Sequence, residues 1–570
     1  MERNLEMLDL SANRLKDLPD NLLEDFDMMK DLRLSDNMLR MSPNASFLGF
    51  RYSLKDLSLL GEDMGFVPLR EIGLMRNLRT VGLAGVRYRG EVTEKQFRPF
   101  APGLEELNLV SANLNQIGRN AFAHVPSISK MDLSNNRITR IANSAFNEVG
   151  NALGYLKMSN ALYFTSLPNI AFHALSAMEV LDLSDNHIRD IPLDTFHKMS
   201  RLRFLYLQNN EVSQLKRGIF HSQANPELNV LDLSFNQIIS IPYDTFRFPK
   251  LERLILDDNR IQTIETKAIV EMTGLRYLSL EGNELKSLPG EAFQNLHYLS
   301  TLNLAYNKIN MLDFAAFDSV GTLSHLVIDL SHNDLNILAN NRTTSYPTSS
   351  NIMTLDLSSN NISFIEVAFF HPVQNVLKIL NMSHNALTEI NPESLGHIRK
   401  LYSIDLSHNL LVDIKQGTFF ASKKLQMVYL NNNALSELNP GLFGNHRYLK
   451  VVDLSWNRLN TLPEQLFQRT SLEIFRAAHN SLHEIPIKSL NPVQSTLKHL
   501  DLTGNRITTI SDSQLNQIQS LVELNLAQNH ITIIDNQAFC CLPSLSSLDL
   551  SFNPLKRINA ATFTGNTIIS

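Results

Sequence analysis

An asparagine returns along this 570-residue chain in steps of 23 to 27 residues, mostly 24 or 25, inside the frame L-x-x-L-x-L-x-x-N-x-L-x-x-L. LDLSDNHI around Asn186, IDLSHNLL around Asn409 and VDLSWNRL around Asn457 are three copies of it. The frame recurs 23 times, and its ninth position is Asn in all but four copies, which carry Glu62, Val86, Ala112 and Ala161. A second mark runs in step with the first. Ten residues after the Asn comes a large apolar residue, usually Phe, as at Phe146, Phe196, Phe220, Phe246, Phe293, Phe317, Phe370, Phe419, Phe443, Phe467, Phe539 and Phe563. A period of this length calls for a stack of small coils rather than a set of separate globules, because one coil cannot bury its own apolar face.

Elementary chemistry gives each mark a task. The x-L-x-L part reads as a short strand whose leucines point inward. Stacked coils then build one long parallel sheet. The chain must turn sharply out of each strand, which leaves backbone groups without sheet partners. An Asn amide carries two donors and an acceptor, enough to satisfy such groups within and between coils. The expected ladder is Asn136, Asn186, Asn210, Asn236, Asn259, Asn283, Asn307, Asn333, Asn360, Asn385, Asn409, Asn433, Asn457, Asn480, Asn505, Asn529 and Asn553. The Phe fills the far side of each coil. Proline after the outgoing leucine or isoleucine, as at Pro192, Pro242 and Pro463, ends the strand register and fixes φ.

The frame LDLSxN, its 24-residue step and an Asn in the ninth position resemble the chaoptin-like family of extracellular leucine-rich repeat proteins, the typical 24-residue subclass. The resemblance covers Leu5 to about Phe563. It implies an α/β solenoid: a right-handed leucine-rich repeat horseshoe with a concave parallel β-sheet and an irregular or 3-10 convex side. It implies a cell-surface adhesion or recognition ectodomain that binds protein partners, another copy of itself among them, through the concave face. It also implies placement at the extracellular face of the plasma membrane. Toll-type receptor ectodomains, which bind a separate ligand, share much of the pattern and form the alternative. An intracellular scaffold is the remaining one.

The expected organisation is a single array over 1–570, with degenerate repeats over 38–113, an irregular loop insertion over 339–351 and no capping modules. Looser turns are expected in the degenerate stretch. Both ends stop without a covering module, so further repeats, a signal segment and an anchor are expected outside this segment.

Composition narrows the function classes. Apolar residues make up 43% and charged residues 19%, which suits a large core rather than a disordered chain. A net charge of -6 over this length gives no reason to expect nucleic acid as a partner. A membrane partner is expected only through an anchor elsewhere, since no apolar run reaches about 18 residues. P-loop, H-E-x-x-H, G-x-S-x-G and G-x-G-x-x-G motifs are all missing, so neither catalysis nor a cofactor or metal is expected. The two cysteines, Cys540 and Cys541, are adjacent. Three states are open to them: two shielded thiols, a strained vicinal disulfide, or a bridge to another chain.

Candidate contact residues are aromatic. Tyr155, Phe204, Tyr206, Phe235, Tyr277 and Tyr306 should project from the concave sheet, with Tyr429 and Trp456 as a second group further along. An Asp column at the strand centre (Asp132, Asp182, Asp232, Asp329, Asp356, Asp405, Asp453, Asp501 and Asp549) should form an acidic strip, with Arg203, Arg253, Arg276, Arg476 and Lys498 on the same surface. His332, His384, His408 and His479 each precede a ladder Asn and read as polar ladder residues. Sequons at Asn44, Asn341, Asn361 and Asn381 are candidate glycosylation sites, of which Asn381 would block the concave face.

Overall fold

The computed structural model describes residues 4–18, 26–39, 49, 51–60, 69–83, 91–221, 223–269, 271–290, 293–339, 350–512 and 514–563. The chain divides into two compact units, Met1–Glu284 and Leu285–Ser570. Glu62, Val86, Asn44, Asn341 and most of the 339–351 insertion lie outside the described residues.

Each unit is a parallel-sheet solenoid with little helix. In the N-terminal unit the sheet strands run from Met7–Asp9 to Tyr277–Ser279, in the C-terminal unit from Thr301–Asn303 to Ser547–Asp549. Most are three residues long and pair in strict repeat register: Leu156 faces Leu181, Leu205 faces Leu231, and Ile404 faces Val428. The middle residue of each points into the core, and the residue just past the strand does likewise, as at Leu181 and Leu183 or Ile404 and Leu406, all fully buried. Flanking strand residues face solvent, so the sheet shows one side only.

The ladder Asn closes the turn of the coils that carry it. Asn136 accepts the Leu114 N–H of the preceding coil at 2.9 Å. Its Nδ2 donates back to the Leu109 carbonyl at 2.9 Å and to Leu133 of its own coil at 2.7 Å. Asn236, Asn409, Asn457 and Asn529 repeat the arrangement, with the cross-coil acceptor at 2.9 to 3.0 Å in each. Ala161 shows how a coil manages without the amide. The Ile138 N–H that an Asn would have accepted goes to the Ala161 carbonyl at 2.7 Å, and the two chains form a bridge at Leu162.

Phenylalanines fill the opposite side. Phe97, Phe122, Phe146 and Phe172 follow one another at ring separations of 5.6, 5.9 and 6.4 Å in the N-terminal unit. In the C-terminal unit Phe419, Phe443 and Phe467 stack at 6.4 and 5.9 Å. The back of the coils is made of four-residue helices such as Pro392–Leu395, 3-10 turns such as Phe314–Phe317, and two-residue strand pairs such as Ser240–Ile241 with Thr263–Ile264.

The degenerate stretch keeps its sheet. The strands Asp56–Leu59 and Thr80–Leu83 pair over four residues, one more than the usual three. The turns that follow these two strands, where the looser geometry is expected, lie outside the described residues. Around the insertion, the strand Ile352–Asp356 pairs with Leu326–Asp329 through a register shift at Leu326 and Val327. The Asn351 amide ties the returning chain to the Ser324 carbonyl at 2.7 Å.

Candidate recognition surface

The solvent side of each sheet is built from the first and third residues of the strands. In the N-terminal unit these include Tyr155, Phe204, Tyr206 and Tyr277, all half-buried. A cation lies against three of these rings. Lys130 Nζ is 5.7 Å from the Tyr155 centroid, the Arg203 guanidinium is 5.4 Å from that of Phe204, and the Arg253 guanidinium is 4.4 Å from that of Tyr277. Tyr206 sits between Asp182 and Asp232 of the flanking strands. Burial first, and then those two carboxylates, push its phenol above the ordinary tyrosine range. The result is a band of half-buried rings edged with both signs of charge. Tyr429 takes the equivalent strand position in the C-terminal unit, half-buried, with its phenol also pushed up by burial.

Phe235, Tyr306 and Trp456 correct the sequence reading. They are not on the sheet. Each occupies the turn residue just before a ladder Asn, with φ of 53, 53 and 56°, and is 53%, 54% and 55% exposed. That left-handed region is open to Asn, Asp and Gly but costs a bulky residue about 1–2 kcal/mol. Two of the three rings have stacking partners in the next coil: Tyr306 lies 4.1 Å from His332 at 6°, and Trp456 lies 3.9 Å from His479 at 19°. His384 and His408 stack the same way at 4.0 Å and 10°. The four histidines therefore form part of a ring ladder along the turn edge. One of its stacks ends at Gly504, where a Cβ would come within 2.4 Å of His479 Nδ1.

The Asp column is also reassigned. Each Asp is the last residue of its strand, and its carboxylate accepts the N–H two residues on: Asp132 from Ser134 at 2.9 Å, Asp405 from Ser407 at 2.9 Å, Asp501 from Thr503 at 3.0 Å. The same bond forms in all nine coils of the column. These are turn caps of the Asx kind before they are a charged strip. Asn381 fills the same slot, accepting the Ser383 N–H and donating to Asp356 Oδ2, both at 3.0 Å. Its amide nitrogen is thus already engaged, whereas Asn361 is exposed on the outgoing turn.

Sequence reasoning missed one feature. Where the outward residues shrink to Ser58, Gly82 and Asn108, the sheet face of the N-terminal unit sinks into an open depression of about 600 Å³. Arg33, Lys130 and Lys157 rim it beside Asp31, Asp56 and Glu106. The signal was present in three successive small residues at one strand position, but it lies in the copies whose frame is weakest. Of the basic positions, Arg476 is 3.9 Å from Asp453, and Lys498 is 3.0 Å from Glu473.

Known proteins match this architecture. The Leucine rich repeat pattern matches residues 102–160, 151–212, 226–285, 273–335, 350–411, 399–459, 423–482 and 495–555, well over half the chain. Chaoptin of Drosophila melanogaster is 35% identical over 169 residues, 29% of this chain and 13% of Chaoptin. Podocan of Mus musculus is 28% identical over 198 residues, covering 33% of this chain and 30% of Podocan. Lumican of Homo sapiens is 32% identical over 148 residues, covering 25% of this chain and 39% of Lumican. The chain therefore matches well under half the length of each of these relatives. Among solved structures, the glycosylated Toll–Spatzle complex of Drosophila aligns over 92% of this chain and 81% of that one, with a TM-score of 0.58 and 19% identity. The plant peptide hormone receptor RGFR1 in complex with RGF2 aligns over 97% and 87%, with a TM-score of 0.52 and 23% identity. These two likenesses concern the fold. Among the described residues no helix is long and apolar enough to cross a membrane. Repeat frame, Asn ladder and family pattern agree, and this chain belongs to the leucine rich repeat family.

Proposed function

We propose that this chain is a cell-surface recognition ectodomain that binds protein partners through the solvent face of its sheets. In its sharper form the partner is a second copy of the same chain, and the assembly is adhesive. The observation that carries this reading is the band Tyr155, Phe204, Tyr206 and Tyr277. Half-buried rings on a rigid sheet lose little side-chain freedom on docking and supply the anchors that protein interfaces favour. Both signs of charge border the rings, Lys130, Arg203 and Arg253 against Tyr155, Phe204 and Tyr277, and Asp182 and Asp232 beside Tyr206, so two copies running in opposite directions can match unlike charges. The similarity to Chaoptin supports the adhesive form. The working place is the extracellular face of the plasma membrane, with glycans at exposed sequons such as Asn361.

Beads coated with the chain test self-binding directly. Clumping is expected, and the double replacement Phe204→Ser with Tyr206→Ser should abolish it while leaving the fold intact. Beads that stay dispersed at every surface density would remove the self-binding form. The neighbours solved with Spatzle and with RGF2 favour a second reading, a receptor for a separate protein ligand. In that case dispersed beads would still take up a soluble extracellular protein, and the same double replacement would block the uptake.

A further inference from the structure

We propose that Cys540 and Cys541 are a thiol modification site: a vicinal dithiol that closes to an intramolecular disulfide in an oxidising thiol buffer and reopens in a reducing one. They are the chain's only cysteines. Their Sγ atoms lie 3.0 Å apart, closer than two sulfurs sit without a specific interaction. The turn that carries them is pinned on both sides by buried residues, Phe539 before and Leu542 after. Phe539 stacks on Phe563 at 5.7 Å and 9°, and the Cys540 N–H is held by the Gln537 carbonyl at 3.1 Å. The backbone therefore presents both thiols together, and no other copy has to be recruited to bring a second sulfur within reach.

The two sulfurs differ in access, which orders the chemistry. Cys541 is exposed and Cys540 is partly covered. The hydrogen bond to Cys541, then burial and the neighbouring Cys541 and Asp512 charges, raise the Cys540 thiol pKa above its ordinary value. Cys541 is accordingly the entry point. With oxidised glutathione as the oxidant, the Cys541 thiolate attacks one glutathione sulfur and expels the other glutathione as a thiolate, leaving a mixed disulfide. Cys540 then gives up its proton, attacks the Cys541 sulfur and expels the second glutathione. Two protein thiols become one disulfide, and two electrons and two protons pass to two glutathione thiols. Adjacent Cα atoms are about 3.8 Å apart, below the roughly 4.4–6.8 Å that ordinary bridges span. Such a bridge is readily reduced, which makes this turn a labile redox element and not a structural staple.

The experiment equilibrates the full chain with graded mixtures of oxidised and reduced glutathione, quenches with an alkylating maleimide and reads the Cys540–Cys541 peptide by mass. The expected product lacks two hydrogens, takes up no maleimide and rises with the oxidised fraction, with no covalent dimer. In the reduced form phenylarsine oxide, which needs two neighbouring thiols, should protect both sulfurs. Cys541→Ser should abolish that protection of Cys540. Two maleimides per chain across the whole series would overturn the proposal. So would oxidation that stops at a glutathione adduct or at a covalent dimer, or an arsenical that fails to protect the wild-type pair.

Discussion

The same residue slot is solved in two ways in the two units. In the N-terminal unit the left-handed residue before the ladder Asn is mostly Asn or Asp, and these side chains bond to one another. Asn160 donates to Asn135 at 3.0 Å, Asn209 donates to Asp185 at 2.9 Å, and Ser159 also reaches Asp185 at 2.8 Å. In the C-terminal unit the slot holds Ser359, Asn432, Gly504, Gln528 and Phe552 in some coils, but in six others it holds Tyr306, His332, His384, His408, Trp456 and His479, and these six stack face to face in three pairs. One edge is a hydrogen-bonded ladder on a relaxed backbone. The other is a ladder of exposed rings on a backbone that bulky residues enter only at a cost. The open faces differ in the opposite sense: rings crowd the strands of the N-terminal unit, while Tyr429 is the strand aromatic of the second group. Aromatic surface has moved from the strand to the turn.

What the units share sets the largest expected effect. Asn236 accepts the Val212 N–H, and Asn457 accepts the Leu435 N–H, both at 3.0 Å. Replacing either by Ala leaves several buried backbone groups unpaired, a loss of about 3 kcal/mol. Hydrogen exchange at Val212 and Leu435 should then quicken by roughly a hundredfold in the affected unit. Equal losses in the two units are expected. If one unit tolerates the change as a coil tolerates Ala161, its turns are held by something other than the amide.

That ladder was legible in the sequence because one residue type performs one task at a fixed period, and every copy repeats the evidence. The candidate surface was legible only in part. Alternation places Tyr155 and Tyr206 correctly, since strand residues point to opposite faces. It fails at Phe235, Tyr306 and Trp456, which lie three residues past their strand ends, in a turn where alternation no longer says which way a side chain points. The Asp column sits where alternation puts it, at the third, solvent-side residue of the strand, but alternation gave no sign that each carboxylate also caps the following turn. Stacking between coils depends on how far the turn residues of neighbours are set apart, which no single copy of the repeat contains.

A pH titration separates the units next. Burial pushes the Asp257 carboxyl from 3.8 up to about 6, with Glu281 and Asp258 nearby adding to the rise and hydrogen bonds from Ser279 and the Glu281 N–H opposing it. A carboxyl raised in the fold holds its proton more tightly there than in the unfolded chain, so the N-terminal unit gains stability as pH falls from about 6 toward 3.8. Asp257→Asn should stabilise that unit at neutral pH by about 1–2 kcal/mol, allowing for solvent screening on its open side, and flatten the pH dependence in that window. Denaturation followed by exchange at the Asn259 coil checks it. An unchanged slope would mean that Asp257 is solvated in the folded chain.

Exchanging slot residues sharpens the contrast at a smaller scale. Asn160→Leu should destabilise the N-terminal unit by about 1–2 kcal/mol, the cost of a branched chain in left-handed backbone plus the lost bond to Asn135. Trp456→Asn should come out within about 1 kcal/mol of neutral. It relieves the backbone by about as much as the His479 stack contributes, ~0.5–1.5 kcal/mol. Midpoints of thermal unfolding for the two variants are the measurement. A large loss for Trp456→Asn would show that the ring ladder holds the unit together, whereas neutrality leaves the exposed rings free for contact with a partner.

The smallest effect carries the opposite pH sign. Burial, and after it the facing His384, lowers the His408 imidazole below 6.5, with Asp405 pulling the other way. His371 in the same unit is lowered by burial and by His397. An imidazole lowered in the fold protonates first in the unfolded chain, so its contribution is complete above 6.5 and fades as pH falls through the folded value. Acidification therefore loosens the C-terminal unit, opposite in sign to its effect through Asp257 on the N-terminal one. Proton resonances of the His408 ring follow the titration directly. His384→Gln should move its midpoint upward, part of the way to the ordinary value, because burial is the larger cause and stays. A midpoint that does not move would mean that the two rings, 4.0 Å apart here, do not face each other in solution.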